Sequence, residues 1–216
     1  MAGHGAWVVA LVGIDGSGKT TQAIRLAAAL CAAGLPARYG RNAGGRRFLG
    51  RVAQRLGGRD AATMLGRPGL LLIESMLRWL AIARSLLAAR ITGRVAVMDR
   101  YTPCQLVSLR VHGGGARLER AVRAMYSVFP APDRLIFLDV GPSQAYDRIE
   151  ERASDHEDMS YLNATYSAYK DIASTAVPVS GAGDPDDVAA AIWSAAWPAL
   201  RTARQGIGGR GIPDEG

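Results

Sequence analysis

Gly13-Ile14-Asp15-Gly16-Ser17-Gly18-Lys19-Thr20-Thr21 stands between an apolar run, Trp7-Val8-Val9-Ala10-Leu11-Val12, and a segment in which Ile24, Leu26, Ala27, Leu30 and Cys31 recur at helical spacing. Strand, loop and helix is the simplest reading of that order. Gly, four residues, then Gly-Lys-Thr is the spacing of a P-loop. Small residues let the backbone form a nest whose N–H groups point at phosphate oxygens, and the following helix adds its positive N-terminal end. Gly16 and Gly18 supply the positive φ that the turn demands. Gly13, Asp15, Gly16, Ser17, Gly18, Lys19, Thr20 and Thr21 are thus the expected ATP cradle, with Lys19 reaching the β- and γ-phosphates and Thr20 holding Mg²⁺ through its hydroxyl. The competing reading is an ordinary glycine-rich turn. It is disfavoured because the strand and helix that the motif requires are present on both sides.

The chain has 216 residues, 49% of them hydrophobic, which suits one globular domain with a sizeable core. Its two cysteines, Cys31 and Cys104, have no metal-ligand spacing and form no disulfide framework, so reduced thiols and a cytoplasmic location are expected. No apolar run reaches the roughly 18 residues of a membrane span. The apolar N-terminal stretch lacks a basic n-region and leads straight into the P-loop, which argues against a cleaved leader.

The net charge of +7 is carried almost entirely by arginine, since Lys19 and Lys170 are the only lysines. The compact ammonium is kept where a point charge is wanted. Seven arginines and no acid lie between Arg38 and Arg59, with Tyr39 and Phe48 the aromatics there. Stacking platforms for single-stranded nucleic acid are not evident. That segment reads as a solvated face or as the rim of a site for a phosphorylated substrate.

Further along, Ala37–Arg41 reads as a second strand, and residues 45 to 66 as helical with interruptions at Gly57-Gly58 and Gly66-Arg67-Pro68. Gly69 to Arg90 should form a long, largely buried helix, stopped by Gly93. Val95–Met98 is apolar on both faces, as a central parallel strand should be, and delivers Asp99-Arg100-Tyr101 at its C-terminal end. Helices broken at Gly113-Gly114-Gly115 lead to the strand Arg134–Val140. A helix from Pro142 carries Arg148 and Arg152 toward a polar lid candidate, Ser154–Asp158. A helix over 159–176, the strand Val177–Val179 and a helix from Asp186 to Leu200 complete an alternating β/α series. The tail from Thr202, rich in glycine, reads as disordered.

A parallel sheet binds ligands beyond the carboxyl ends of its strands, so the P-loop, Arg41 and Asp99-Arg100 should converge on one crevice. Asp99 is then placed to hold Mg²⁺, directly or through water, and Arg100 to clamp a second phosphate. At these residues the chain resembles the thymidylate kinase family of nucleoside monophosphate kinases. The resemblance rests on Gly-Ile-Asp-Gly-Ser-Gly-Lys-Thr-Thr-Gln, on Asp-Arg-Tyr after the third strand, and on Pro-Asp-Arg-Leu-Ile-Phe-Leu-Asp-Val, and it covers roughly residues 6 to 200. It implies an α/β P-loop NTPase fold in three layers, a parallel sheet of about five strands with helices on both faces, and a short lid. Residues 1–200 would be the kinase-like domain and 201–216 a tail.

By the same resemblance, Asp15 lies near the acceptor sugar and phosphate, Arg100 on the acceptor phosphate, and Arg148 and Arg152 beside ATP. Arg41-Asn42-Ala43-Gly44-Gly45 stands where the family usually has Arg-Glu-Pro-Gly-Gly. Where family members stack a Phe on thymine and place an Arg one turn on, this chain offers Glu74 and Arg78. After Asp-Arg-Tyr it shows Cys104, Gln105 and Ser108 in place of Ser, then Asn, Thr or Gln, then Tyr. The expected activity is γ-phosphoryl transfer from ATP·Mg²⁺ to a nucleoside monophosphate, with dTMP as the default acceptor, and a homodimer is implied. The alternatives are a relative acting on another nucleotide or phosphorylated metabolite, and a non-catalytic nucleotide-binding protein that contacts nucleic acid.

Overall fold

β1 (Val8–Val12) is buried along its whole length because all five of its side chains are apolar and both faces of the strand are covered. Val9 and Leu11 point into one core, with α1 (Lys19–Ala32) and the last helix; Val8 and Ala10 point into the other. The computed structural model describes residues 7–42, 60–152 and 157–207. Within them β2 (Ala37–Arg41), α2 (Asp60–Ile91), β3 (Val95–Asp99), α3 (Thr102–Val111), α4 (Ala116–Tyr126) and β4 (Arg134–Asp139) follow in order. α5 (Pro142–Glu150), α6 (Met159–Ile172), β5 (Val177–Ser180) and α7 (Pro185–Ile207) complete the chain's described part.

All pairings are parallel, in the order β2-β3-β1-β4-β5, which makes β1 the central strand. Leu26 and Leu30 of α1 and Ile192, Ala196 and Leu200 of α7 cover one face of the sheet. Leu71, Ile82 and Ala89 of α2, Leu109 of α3 and Val122 and Tyr126 of α4 cover the other. A third cluster joins α3, α5 and α6 through Cys104, Val107, Ala145, Tyr169 and Ala173. The expected fold class is therefore observed: an α/β P-loop NTPase architecture with a five-stranded all-parallel sheet and helices on both sides.

Four expectations change. The break at Gly66 is a kink inside α2 (φ 60°, ψ 176°), and Pro68 sits in the first turn after it, where a missing N–H costs little. α2 is also not largely buried. Leu72, Met76, Leu80, Leu87 and Ile91 are 41 to 75% exposed, because the helix packs on the sheet by one side only. α6 ends at Ile172, four residues early. α7 runs to Ile207 rather than stopping at Leu200, since Arg201-Thr202-Ala203-Arg204-Gln205 holds no glycine and is mostly good helix former. The helix expected over 45–59, most of the arginine-rich stretch and most of the lid candidate lie outside the described residues.

Candidate functional site

Gly13, Gly16 and Gly18 all have positive φ, so the loop turns without the strain a side chain would impose. Space adds a second constraint. A Cβ on Gly13 would lie 2.8 Å from the Leu138 carbonyl oxygen, and one on Gly16 only 2.4 Å from that of Ala145 in α5. Gly18, by contrast, faces open space. It is the N-cap of α1, whose first turn holds no acid and receives no side-chain cap. The positive end of a 14-residue helix is thereby left for an anion.

Lys19 is buried, 4% exposed, and its ammonium donates to the Ile14 carbonyl at 2.5 Å and to Ser17 Oγ at 3.2 Å. Burial, helped by the Arg100 charge and opposed by Asp15 and Asp99, pulls its pKa down to about 8. The nearest carboxylate oxygen among the described residues, on Asp15, is 4.0 Å away. Anionic phosphate would relieve this arrangement.

The Thr20 hydroxyl donates to Asp99 Oδ2 at 2.6 Å, and the Tyr39 hydroxyl donates to the same oxygen at 3.2 Å. Burial, then the Asp99 carboxylate, hold the Tyr39 pKa up at about 12, so this hydroxyl stays a donor. Asp99 Oδ1 is buried with no hydrogen-bond partner among the described residues. A hydroxyl and a carboxylate oxygen side by side, one lone-pair set unsatisfied, form a donor set that fits Mg²⁺. That ion takes one or two protein oxygens and completes its shell with water and phosphate. No cluster of three or more His, Cys, Asp or Glu suited to a metal occurs among the described residues, so a dedicated all-protein cage is not the arrangement here.

Arg100 forms an ion pair with Asp15 across the gap between β3 and β1. It is the one non-glycine residue among those described with positive φ, at 73°. Such a conformation persists only where neighbours over-determine it. Here the Arg100 N–H donates to the Leu11 carbonyl at 3.1 Å, and Asn42 Nδ2 donates to the Arg100 carbonyl at 2.7 Å. Asn42 is wholly buried, its own N–H donates to Asp99 O at 3.1 Å, and its side-chain oxygen accepts from Ser85 Oγ at 3.3 Å. This positioning role of Asn42 was not anticipated. α6 also carries Tyr169 next to Cys104 and within electrostatic reach of Arg100 and Asp15; burial first, then Cys104, raises its pKa.

The structure thus brings Asp15, Lys19, Thr20, Asp99 and Arg100 together. Arg41 sits in register with Asp99, but its side chain is exposed. Arg148 lies in the last turn of α5, one turn past the Ala145 that touches Gly16, and Arg152 is exposed just beyond the helix. Neither hydrogen-bonds to the P-loop.

Glu74, Arg78 and Gln105 are not at the rim of this crevice but in a buried cluster between α2 and α3. Glu74 (4% exposed) accepts from Arg78 (5%) at 3.2 Å and from Ser108 Oγ at 3.3 Å. Gln105 Nε2 donates to Ser75 Oγ at 2.8 Å, and the Tyr126 hydroxyl to the Ser75 carbonyl at 2.7 Å. The pair is therefore no exposed helix-face ion pair. Arg78 Nε and Gln105 Oε1 are buried without hydrogen-bond partners among the described residues.

A parallel sheet whose central strand runs into a phosphate nest, beside a carboxylate and a positioned arginine at the next strand's end, defines a P-loop nucleotide-binding phosphotransferase. The thymidylate kinase family model matches residues 11–185. The chain therefore belongs to the thymidylate kinase family, whose members use ATP as phosphate donor, and is a nucleoside monophosphate kinase of that type. It is 29% identical over 208 residues to the thymidylate kinase of Solidesulfovibrio magneticus, covering 86% of this chain and 96% of the relative. Its identity with a probable thymidylate kinase of Archaeoglobus fulgidus is 28% over 180 residues (82% and 88%). The Bifidobacterium longum thymidylate kinase gives 28% over 196 residues (87% and 93%).

Proposed function

We propose that the chain transfers the γ-phosphoryl group of ATP, bound with Mg²⁺ at Thr20 and Asp99, to the phosphate of a nucleoside monophosphate, dTMP being the acceptor that kinship points to. The observation that carries this reading is the Arg100–Asp15 pair standing beside the Lys19 nest, so that two phosphate-binding groups face one crevice. When bound, Mg²⁺ would neutralise charge on the transferring group. The protein's part is positioning. Lys19 leaves the Ile14 carbonyl for phosphate oxygens. Arg100, held by Asn42 and oriented by Asp15, clamps the acceptor phosphate through its fork. Arg148 and Arg152 supply charge from α5, and Arg41 lines the acceptor side. Incubation with ATP, Mg²⁺ and dTMP should yield ADP and dTDP; a protein that binds ATP yet forms no diphosphate from any nucleoside monophosphate would sink the proposal.

The same reading makes the enzyme a cytoplasmic homodimer. Both thiols are free, as a reducing compartment would keep them. No helix among the described residues is long and apolar enough to cross a membrane. The exposed row on α2 supports the dimer. In an antiparallel pairing about a two-fold axis between residues 81 and 82, Leu72 meets Ile91 of the second copy, Met76 meets Leu87, and Leu80 meets Ala83. Sedimentation of the wild type should report two chains, and Leu80→Glu should report one.

A further inference from the structure

We infer that Tyr39 is a positioning residue for the cation: from β2 its hydroxyl holds the Asp99 carboxylate, so that the Thr20 hydroxyl oxygen is kept turned toward Mg²⁺. This rests on the reading above, in which ATP is bound with Mg²⁺ at Thr20 and Asp99.

Register decides which side chain of β2 can do this. Arg41 is the residue paired with Asp99, but its side chain is exposed; Tyr39 is paired with Val97, two residues back. Side chains two apart on a strand share a face. Val97 and Asp99 thus both point to the α1 side, Val97 into the core cluster on which the Tyr39 ring also packs, and Asp99 onto Thr20 of α1. Between the level of Tyr39 and that of Asp99 lie about 6.6 Å of strand, two residues' rise. A tyrosine spans that distance from its place against the core, and its hydroxyl meets Asp99 Oδ2 at 3.2 Å. A phenylalanine would fill the same space and stop short of the carboxylate. The ring therefore accounts for the packing, and the hydroxyl for the bond to Asp99.

The count of protons gives that bond its purpose. Asp99 Oδ2 accepts from Thr20 at 2.6 Å and from Tyr39 at 3.2 Å, whereas Oδ1 has no hydrogen-bond partner among the described residues. Two donors on one oxygen are thus the anchors that the described residues give this carboxylate. They are not equivalent. Thr20 has a single hydroxyl proton, and while that proton is given to Asp99 the oxygen's lone pairs point away from the carboxylate, where a cation can take them. Thr20 is also exposed, in the first turn of α1 where the phosphate nest opens. A carboxylate anchored by Thr20 alone could swing about its broad terminal torsion and draw the hydroxyl round with it. Tyr39 is the anchor that makes no claim on the metal, so it can hold the carboxylate still while Thr20 serves the ion. Partners that orient a metal's ligands from outside its shell typically account for about 10- to 100-fold in affinity.

The test is the dissociation constant of the β,γ-imido analogue of ATP, measured by titration calorimetry in excess Mg²⁺ and again in EDTA. Wild type, Tyr39→Phe, Tyr39→Met and Asp99→Asn are compared. Mg²⁺ should tighten wild-type binding by about tenfold or more, and Asp99→Asn should erase most of that gain. Tyr39→Phe should weaken binding about tenfold in Mg²⁺ while its constant in EDTA stays within about twofold of wild type. Tyr39→Met removes the hydroxyl with a different filling of the core and should show the same split; thermal melting identifies which of the two variants is folded. Equal weakening with and without the ion overturns the inference, since a merely structural tyrosine would act so. Binding like that of wild type in both conditions overturns it too. A Mg²⁺ response lost in Asp99→Asn but kept in the Tyr39 variants removes this inference and leaves the metal reading intact. A response unchanged in Asp99→Asn removes the metal reading and this inference with it.

Discussion

Lys19 and Arg78 are both cations with 5% or less of their surface exposed, yet the two regions that bury them treat charge differently. In the P-loop the nearest carboxylate to Lys19 among the described residues is 4.0 Å away and also pairs with Arg100, and burial pulls the lysine's pKa down to about 8. Between α2 and α3, Arg78 has a buried carboxylate one helical turn away at 3.2 Å. The first region leaves its lysine without a close carboxylate among the described residues, a deficit that anionic phosphate would meet. The second meets its cation's charge at folding and leaves only hydrogen-bonding capacity over. Two buried cations can thus be told apart by asking what each still lacks in the ligand-free chain.

Removing the group that the deficit serves should have the largest effect. Lys19→Ala is expected to lower kcat/KM by about 10³-fold or more with the circular dichroism spectrum unchanged, as loss of a preorganised charge at a transferring phosphate does. Near-normal turnover would erase the distinction between the two regions. Arg100→Ala should cost about 10²-fold, and Arg100→Lys should fail to restore activity because an ammonium cannot reproduce the two-pronged fork.

Stability measurements sharpen the contrast from the other side. Arg78→Met alone should destabilise the protein by about 3 kcal/mol in urea titrations, because the buried Glu74 carboxylate loses the guanidinium that donates to it at 3.2 Å. Glu74→Met combined with Arg78→Met should come back to within about 1 kcal/mol of wild type, since an apolar pair of similar volume replaces both charges. A double variant as unstable as the single would mean that the cluster's hydrogen bonds, rather than its charges, hold α2 on α3.

The smallest effect has the opposite sign. Lys19→Met should stabilise the nucleotide-free protein by about 1–3 kcal/mol at pH 7, from a pKa lowered from 10.5 to about 8. Between those two values the unfolded chain binds more protons than the folded one, so wild-type stability rises with pH across that window. The gain from Lys19→Met is therefore full below pH 8 and fades toward pH 10.5. Melting curves at pH 7 and pH 10 without nucleotide measure the difference, and a destabilised Lys19→Met at pH 7 would contradict it.

How much of this could be read from the residues follows the same division. The nest, the buried strand that leads into it and the Asp99-Arg100 step were legible because each is a contiguous run whose chemistry depends on local backbone geometry. The parallel sheet of about five strands was implied by the β/α alternation; its order, β2-β3-β1-β4-β5, was not. Asn42 and Tyr169 were not legible. Their places at the site exist only because β2 lies beside β3 and α6 packs on α3, and an asparagine or tyrosine in isolation carries no such signal. Glu74 and Arg78 were visible as a pair, but i, i+4 spacing is the same on a wet face and on a buried one. Their burial depends on Gln105 and Ser108 arriving from another helix. The exposed side of α2 was missed for a related reason: a helix apolar on nearly every side looks buried in the sequence whether its cover comes from the same chain or from a second copy.

The contact between Gly16 and Ala145 couples the nest to α5. The backbone of Gly16 approaches the Ala145 carbonyl so closely that a single added carbon would sit 2.4 Å from its oxygen, so loop and α5 touch without any side chain as a cushion. A side chain between them could rotate and absorb a displacement; bare backbone against bare backbone transmits it. α5 also carries Arg148 one turn further on and Arg152 just past its end. The posture of the phosphate nest and the reach of those two arginines are thus a single degree of freedom, and a shift of the nest is a shift of the arginines.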